Sequence, residues 1–232
     1  MTLKQIGKPA GAIAILAAIV LATMLSSSRP VRAGDDDDND RNESKVRKGF
    51  QIAPVPLNLK GKDHELVGLG SYIVNAQADC NGCHSAGPQT EFLPGGNPYF
   101  GQPEKINPAT YLGGGRNFGK VSGPSSPDII SRNLTPDRTG LPEGGHTFTE
   151  FVQIIRTGKD FDHLHPNCSA TRTTNCFPPT PPVDGDLLQV MPWPIYKNMT
   201  DRDLRAIYEY LSAIPCIQGS ADPTDVLHND CG

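Results

Sequence analysis

This 232-residue chain lacks three things: a surplus of basic charge, aromatic side chains, and a second metal-spaced pair of ligands. Lys and Arg total 21 against 25 Asp and Glu, a net charge of −4. Nucleic-acid binding needs a basic surface, so that class is set aside. Aromatics make up only 6% of the chain, with a single Trp, so side chains alone promise a thin core. One C-x-x-C occurs, at Cys80 and Cys83, and neither a second C-x-x-C nor an H-x-x-x-H accompanies it. A structural zinc site needs four ligands and is excluded on that count. No internal repeat is visible, and the length beyond the N-terminal region suits one domain.

What is present begins with an export signal. Lys4 and Lys8 precede an uncharged apolar run from Ala10 to Leu25, and Val31-Arg32-Ala33 offers a small-x-small cleavage site. This is the layout of a secretory signal peptide over residues 1–33. The apolar run is short of the about 20 residues a membrane span requires, so an uncleaved anchor is the second reading. Either way the remainder is exported, into a bacterial periplasm, where disulfides form. Cleavage would remove Lys4, Lys8, Arg29 and Arg32 and no acid, leaving the mature chain more acidic. Residues 34–60 open on "GDDDDND" and read as an acidic, disordered leader. The domain is expected over 61–232.

Three helices are expected in that domain, separated by Gly/Pro-rich loops. Glu65 to Ala78 carries Leu66, Leu69, Ile73 and Ala76 near helical spacing. Gly68 and Gly70 cost helix propensity there, about 1 kcal/mol each, which close approach by another backbone or side chain would compensate. Thr147 and Glu150 form a capping box ahead of Phe151, Val152, Ile154 and Ile155, with Gly158 as the stop. Thr200 and Asp203 cap a last helix carrying Leu204, Ile207, Tyr208 and Leu211, and Pro215 ends it. The long loops between His84 and His146 need a surface to wrap, and a large apolar cofactor would provide one.

Cys80-x-x-Cys83-His84 fits that need. A thioredoxin-type dithiol sits at the start of a helix after a strand, whereas this motif follows a helix and precedes loop. Covalent haem attachment requires two thiols at this spacing and an adjacent His for the iron. Candidates for the opposite axial position are Met191, Met199, His146, His163, His165 and His228. Met191 lies in loop ahead of the last helix and is followed by Pro192, which stiffens the chain and removes a competing N–H. Met199 precedes the Thr200 cap and can pack on Leu204 as a hydrophobic staple, which gives it a structural task. Met191 is therefore expected to be the distal ligand.

The segments "GSYIV" ahead of "CNGCH", "RNLTPDRTG", "FTEFVQIIRTGKDF" and "LLQVMPWPIYKNMTDRDLRAIYEYLSAIP" together resemble the exported class I mono-haem cytochromes c of bacteria. The resemblance covers about residues 63 to 218. It implies an all-α fold in which N- and C-terminal helices cross over one covalently bound haem c. It further implies that Gly70 and Tyr72 meet Tyr208 and Leu211 at the crossing, with His84 proximal and Met191 distal. The region 86–132 is longer than in minimal members, and "HPNCSATRTTNCFPPTPP" is an insertion.

Four cysteines remain: Cys168, Cys176, Cys216 and Cys231. Local loop closure favours Cys168–Cys176 and Cys216–Cys231. His163 and His165 are alternatives for a distal or second metal site, though loop histidines are commonly surface groups. Trp193 and Tyr196 are expected to line the haem pocket, and Arg116, Asn133 and Arg156 are candidates to bind the haem propionates. With both axial positions filled, the expected function is periplasmic one-electron transfer between redox protein donors and acceptors, without catalysis. The alternatives are an electron-accepting subunit of a periplasmic dehydrogenase, or a haem enzyme or gas binder with a displaceable distal ligand. A membrane association is expected only if the N-terminal segment is retained.

Overall fold

The computed structural model describes residues 35–120, 123, 124, 128–159, 187–222, 225 and 227–232. The described residues from Asp40 onward form one compact unit. The expected signal segment, His163, His165, Cys168 and Cys176 lie outside the described residues. Among those described, no helix is long and apolar enough to cross a membrane. The fold is helical: in place of strands the described residues form isolated antiparallel bridges, Phe92 with Ile106, Asn117 with Ile130 and Lys159 with Leu187. The expectation of an all-α protein agrees with this.

The first helix, α1 (Asp35–Ile52), occupies a region the sequence reading assigned to a disordered leader. Its later turns are anchored by spacing rather than composition. Val46, Gly49 and Phe50 fall on one face, and Gly49 is buried. The opposing residue is Gly68, where a Cβ would lie 2.6 Å from both Val46 and Phe50 side-chain atoms. Ser71 Oγ donates to the Gly49 carbonyl at 2.7 Å, and the Phe50 ring packs on His64 with centroids 4.2 Å apart. The acidic run masked this apolar face in the sequence.

Helix α2 (His64–Tyr72) starts at an N-cap the sequence reading passed over, Asp63, whose carboxylate accepts from the Glu65 and Leu66 amides at 2.9 and 3.1 Å. It continues as a π-helical turn over Ile73–Gln77, closed by Ala78 N donating to Ile73 O at 2.9 Å. Asn75 Nδ2 takes the Ser71 carbonyl at 2.9 Å, giving a side-chain partner to a carbonyl in the turn. Asp79, in the left-handed region at φ 48°, ends the run and turns the chain into the short helix α3 (Cys80–His84).

Helices α4 (Phe148–Thr157) and α6 (Asp201–Leu211) bear the two expected capping boxes, with both reciprocal bonds made at Thr147/Glu150 and at Thr200/Asp203. Between them, the one-turn helix α5 (Trp193–Tyr196) follows Met191-Pro192. Helices α2 and α6 pack most extensively, and Gly70 lies in that contact. A Cβ at position 70 would overlap the Ala206 carbonyl and lie 2.7 Å from Tyr210 Cβ. The two glycines of α2 thus receive different neighbours, α1 at Gly68 and α6 at Gly70. The resemblance implied Tyr208 and Leu211 as the partners of Gly70 and Tyr72. Gly70 instead meets Ala206 and Tyr210, while the Tyr72 ring lies under Lys45 Nζ at 6.0 Å. Tyr208 turns to Phe148 and Phe151, with ring centroids at 5.3 and 5.7 Å.

The expected Cys216–Cys231 disulfide is formed, with Cα atoms 5.7 Å apart. It closes a local loop, and replacing both residues by Ala is expected to lower the unfolding free energy by about 3 kcal/mol. A denaturant midpoint identical to wild type would contradict a bracing role for this bond.

Candidate functional site

The turn after Asp79 delivers Cys80, Cys83 and His84 to one apolar cleft. On its other sides are the end of α2, the faces of α4 and α6, and the Met191-Pro192 segment. The cleft has two adjoining lobes, each about 90 Å³ in volume and partly open to solvent. Cys83, His84, Met191 and Pro192 border both. Phe151, Ile155, Leu204 and Ile207 supply part of the wall, so the apolar faces of α4 and α6 do double duty as core and lining.

His84 is held in one tautomer. Its Nδ1 lies 2.8 Å from the Arg132 carbonyl oxygen, which can only accept, so Nδ1 carries the proton and Nε2 keeps a free lone pair. Burial lowers the imidazole pKa, outweighing the opposing pull of the carbonyl, so the ring is held neutral. The Gly114 amide donates to the His84 carbonyl at 2.8 Å. Gly114 has φ +74°, and a Cβ there would lie 2.6 Å from Arg132 O. The "GGG" stretch therefore passes directly against the peptide that orients the ring.

Burial pushes the Cys80 thiol up to about 12, with Asp79 adding to the rise. Cys83 is raised too, by burial, against a lowering influence from Arg116. Both groups are protonated thiols at neutral pH. A reactive dithiol or thiolate metal site needs lowered pKa values, so this pair is poor at thiolate chemistry. Arg116 Nη1 donates to the Gly82 carbonyl, which ties the "RN" segment onto the motif.

Met191 is half-buried and is braced from behind. Trp193 N donates to Met191 O at 2.8 Å, and the indole Nε1 donates to Leu188 O at 3.1 Å. Leu188 N in turn donates to Gly158 O at 2.8 Å, coupling the segment to the end of α4. Trp193 therefore packs over Gly158 and supports the loop, and it is absent from the cleft wall where it was expected. Tyr196 does line the cleft and donates its hydroxyl to Ala78 O at 3.0 Å. Met199 also borders one lobe, beside Leu204.

Two of the three residues considered for propionate binding are committed elsewhere. Asn133 donates to Ile217 O at 2.8 Å and accepts from Thr135 N and Oγ1. Arg156 donates to Met199 O at 2.7 Å and pairs with Asp201 at 2.7 Å, and it also reaches Lys197 O. His228 faces the Ser220 carbonyl at 2.9 Å, away from the set that borders the cleft. The sequence reading missed the Arg132 carbonyl, since a backbone oxygen has no residue-type signature, and Leu188 and Glu143 as lining residues.

A haem c fits these residues on chemical grounds. Two neutral thiols, a bare imidazole Nε2 and the thioethers of Met191 and Met199 border a single, mainly apolar cleft. Comparison with known proteins points the same way. The chain is 28% identical over 162 residues to the gluconate 2-dehydrogenase cytochrome c subunit of Pantoea cypripedii, covering 68% of this chain and 25% of that protein. It is 27% identical over 165 residues to the cytochrome c subunit of the quinone alcohol dehydrogenase of Komagataeibacter europaeus, covering 70% and 24%. The fructose dehydrogenase cytochrome subunit of Gluconobacter japonicus is 25% identical over 146 residues, covering 62% and 20%. The chain thus spans about a quarter or less of the length of these relatives. No family model and no solved structure matches it.

Proposed function

We propose that this chain is an exported one-electron carrier holding a single covalently bound haem c. Cys80 and Cys83 are the thioether attachments, His84 the proximal ligand and Met191 the distal ligand. The observation that carries this reading is the shared cleft, in which a tautomer-fixed imidazole and a braced methionine stand beside two protonated thiols. The one C-x-x-C-H motif in these 232 residues supports a single haem. The haem, when bound, supplies the Fe(III)/Fe(II) couple, and a Met ligand biases it to higher potential. The protein's own contribution is to exclude water with the α4 and α6 faces and to hold His84 and Met191 still. Little rearrangement is then needed as charge changes.

The relatives favour a more specific version. All are cytochrome subunits of dehydrogenases, and the chain would accept electrons from a sugar- or alcohol-oxidising partner in the periplasm. A displaceable distal ligand, as in a gas-binding protein, fits less well with the Trp193 and Leu188 bonds behind Met191. The test is to express the full chain in a host that matures c-type cytochromes. Intact mass should show one covalently added haem, and a potentiometric titration should follow a single one-electron wave. A second haem, or two waves, would contradict the mono-haem reading.

A further inference from the structure

We propose that two short segments near the C-terminus, Cys216–Ile217 and Asn229–Cys231, position the His84 ring, and that Asn229 is the residue through which they act. The inference rests on His84 being the proximal haem ligand. Asn229 is only 2% exposed, an unusual place for a side-chain amide. Its Nδ2 donates to Thr135 O at 3.2 Å, Thr135 Oγ1 at 3.0 Å and Pro136 O at 3.1 Å, and contacts Cys216 Sγ at 3.5 Å. Two of these partners are carbonyls, which can only accept, so the nitrogen must be the atom facing them.

The bonds continue inward without a gap. Thr135 Oγ1 accepts from Ile217 N at 3.0 Å and donates to Asn133 Oδ1 at 2.7 Å, while Asn133 Nδ2 returns to Ile217 O at 2.8 Å. The backbone N of Asn133 and the carbonyl of Arg132 belong to one planar peptide unit. Anchoring the Asn133 side chain therefore restrains the adjoining peptide, whose oxygen accepts His84 Nδ1–H at 2.8 Å. The Asn229–Cys231 segment is tied down independently. Arg138 N donates to Asp230 O at 2.6 Å, Arg138 pairs with Asp230 at 3.1 Å, and the disulfide joins Cys231 to Cys216.

A purely structural staple would protect stability and leave the ring alone. A positioning element must alter the ring's own hydrogen bond, because that bond sets tautomer and ligand basicity. Asn229→Asp keeps the volume and turns a donor into an acceptor facing two carbonyls. Ser71→Ala is the control, since it also removes a buried hydrogen bond, but at the α1–α2 contact.

In the haem-loaded full chain, exchange of the His84 Nδ1–H is read by NMR of the reduced protein, alongside the reduction potential. For Asn229→Asp, exchange should accelerate at least ~tenfold. The potential should rise, because a less basic imidazole stabilises Fe(III) less. Ser71→Ala should leave both at wild-type values. Should Asn229→Asp not accumulate, the double variant Cys216→Ala/Cys231→Ala is expected to shift both in the same direction. A haem-bearing Asn229→Asp with wild-type exchange and potential overturns the inference, as does an equal shift in Ser71→Ala. Wild-type protein purified without attached haem overturns the haem reading itself, and the positioning role falls with it.

Discussion

Gly70→Val is expected to abolish the native fold under conditions where the wild type is stable. The added Cβ would overlap the Ala206 carbonyl and press on Tyr210 Cβ at 2.7 Å, and both belong to the helix that α2 packs on. Neither obstacle is the movable end of a flexible side chain. Ala206 and Tyr210 are fully buried, so the helices can only separate. Separation would break the Asn75, Tyr111 and Tyr210 bonds, at 3.2 Å from Asn75 Nδ2 to Tyr210, 2.5 Å from Tyr111 to Asn75 Oδ1, and 2.8 Å between the hydroxyls. Overpacking alone costs about 1–3 kcal/mol. Exposing buried polar partners adds about 1–3 kcal/mol for each group left unsatisfied. The total is comparable with the whole stability of a domain, about 5–15 kcal/mol. Circular dichroism and thermal unfolding of the purified variant are the check. A cooperative transition near the wild-type temperature would show that the α2–α6 contact tolerates separation.

The second large effect is expected for Cys80→Ser/Cys83→Ser. Both thioether attachments vanish together, so the purified chain should carry no haem that survives denaturation, against one per chain in wild type. Each single variant keeps one thiol and should retain haem through a single bond. The double variant should also be less stable, since the walls supplied by Phe151, Ile155, Leu204 and Ile207 would enclose a cleft without its covalent occupant. Haem staining after denaturing electrophoresis reads the first effect, and denaturant titration reads the second. Covalent haem persisting in the double variant would place the attachment elsewhere.

Local signals in the sequence were the ones that carried through. The two capping boxes and the Gly158 stop each depend on residues a few positions apart, and each stands where expected; the C-x-x-C-H motif, expected to lead from a helix into loop, forms a short helix of its own. Met191 and the motif line one cleft. What could not be read depended on distant partners. Asn133 and Arg156 looked free for propionates because their acceptors, Ile217 O and Met199 O, are remote in sequence and belong to the backbone. The Arg132 carbonyl was invisible for the same reason. The α1 face was present in the sequence at Val46, Gly49 and Phe50, but four consecutive aspartates at its start dominated the composition. The π-turn at Ile73–Gln77 accompanies a bond from Asn75 Nδ2 to the Ser71 carbonyl, which periodicity does not report.

Both Met191 and Met199 border the cleft, so the distal assignment turns on distinguishing them. The absorption spectrum of the oxidised protein does so through the weak long-wavelength sulfur-to-iron charge-transfer band. The band is expected in wild type and in Met199→Ala, and is expected to vanish in Met191→Ala. The potential of that variant should fall within the span of about 0.8 V that axial ligands govern. A band that survives Met191→Ala, or a wild-type spectrum without it, would contradict the account.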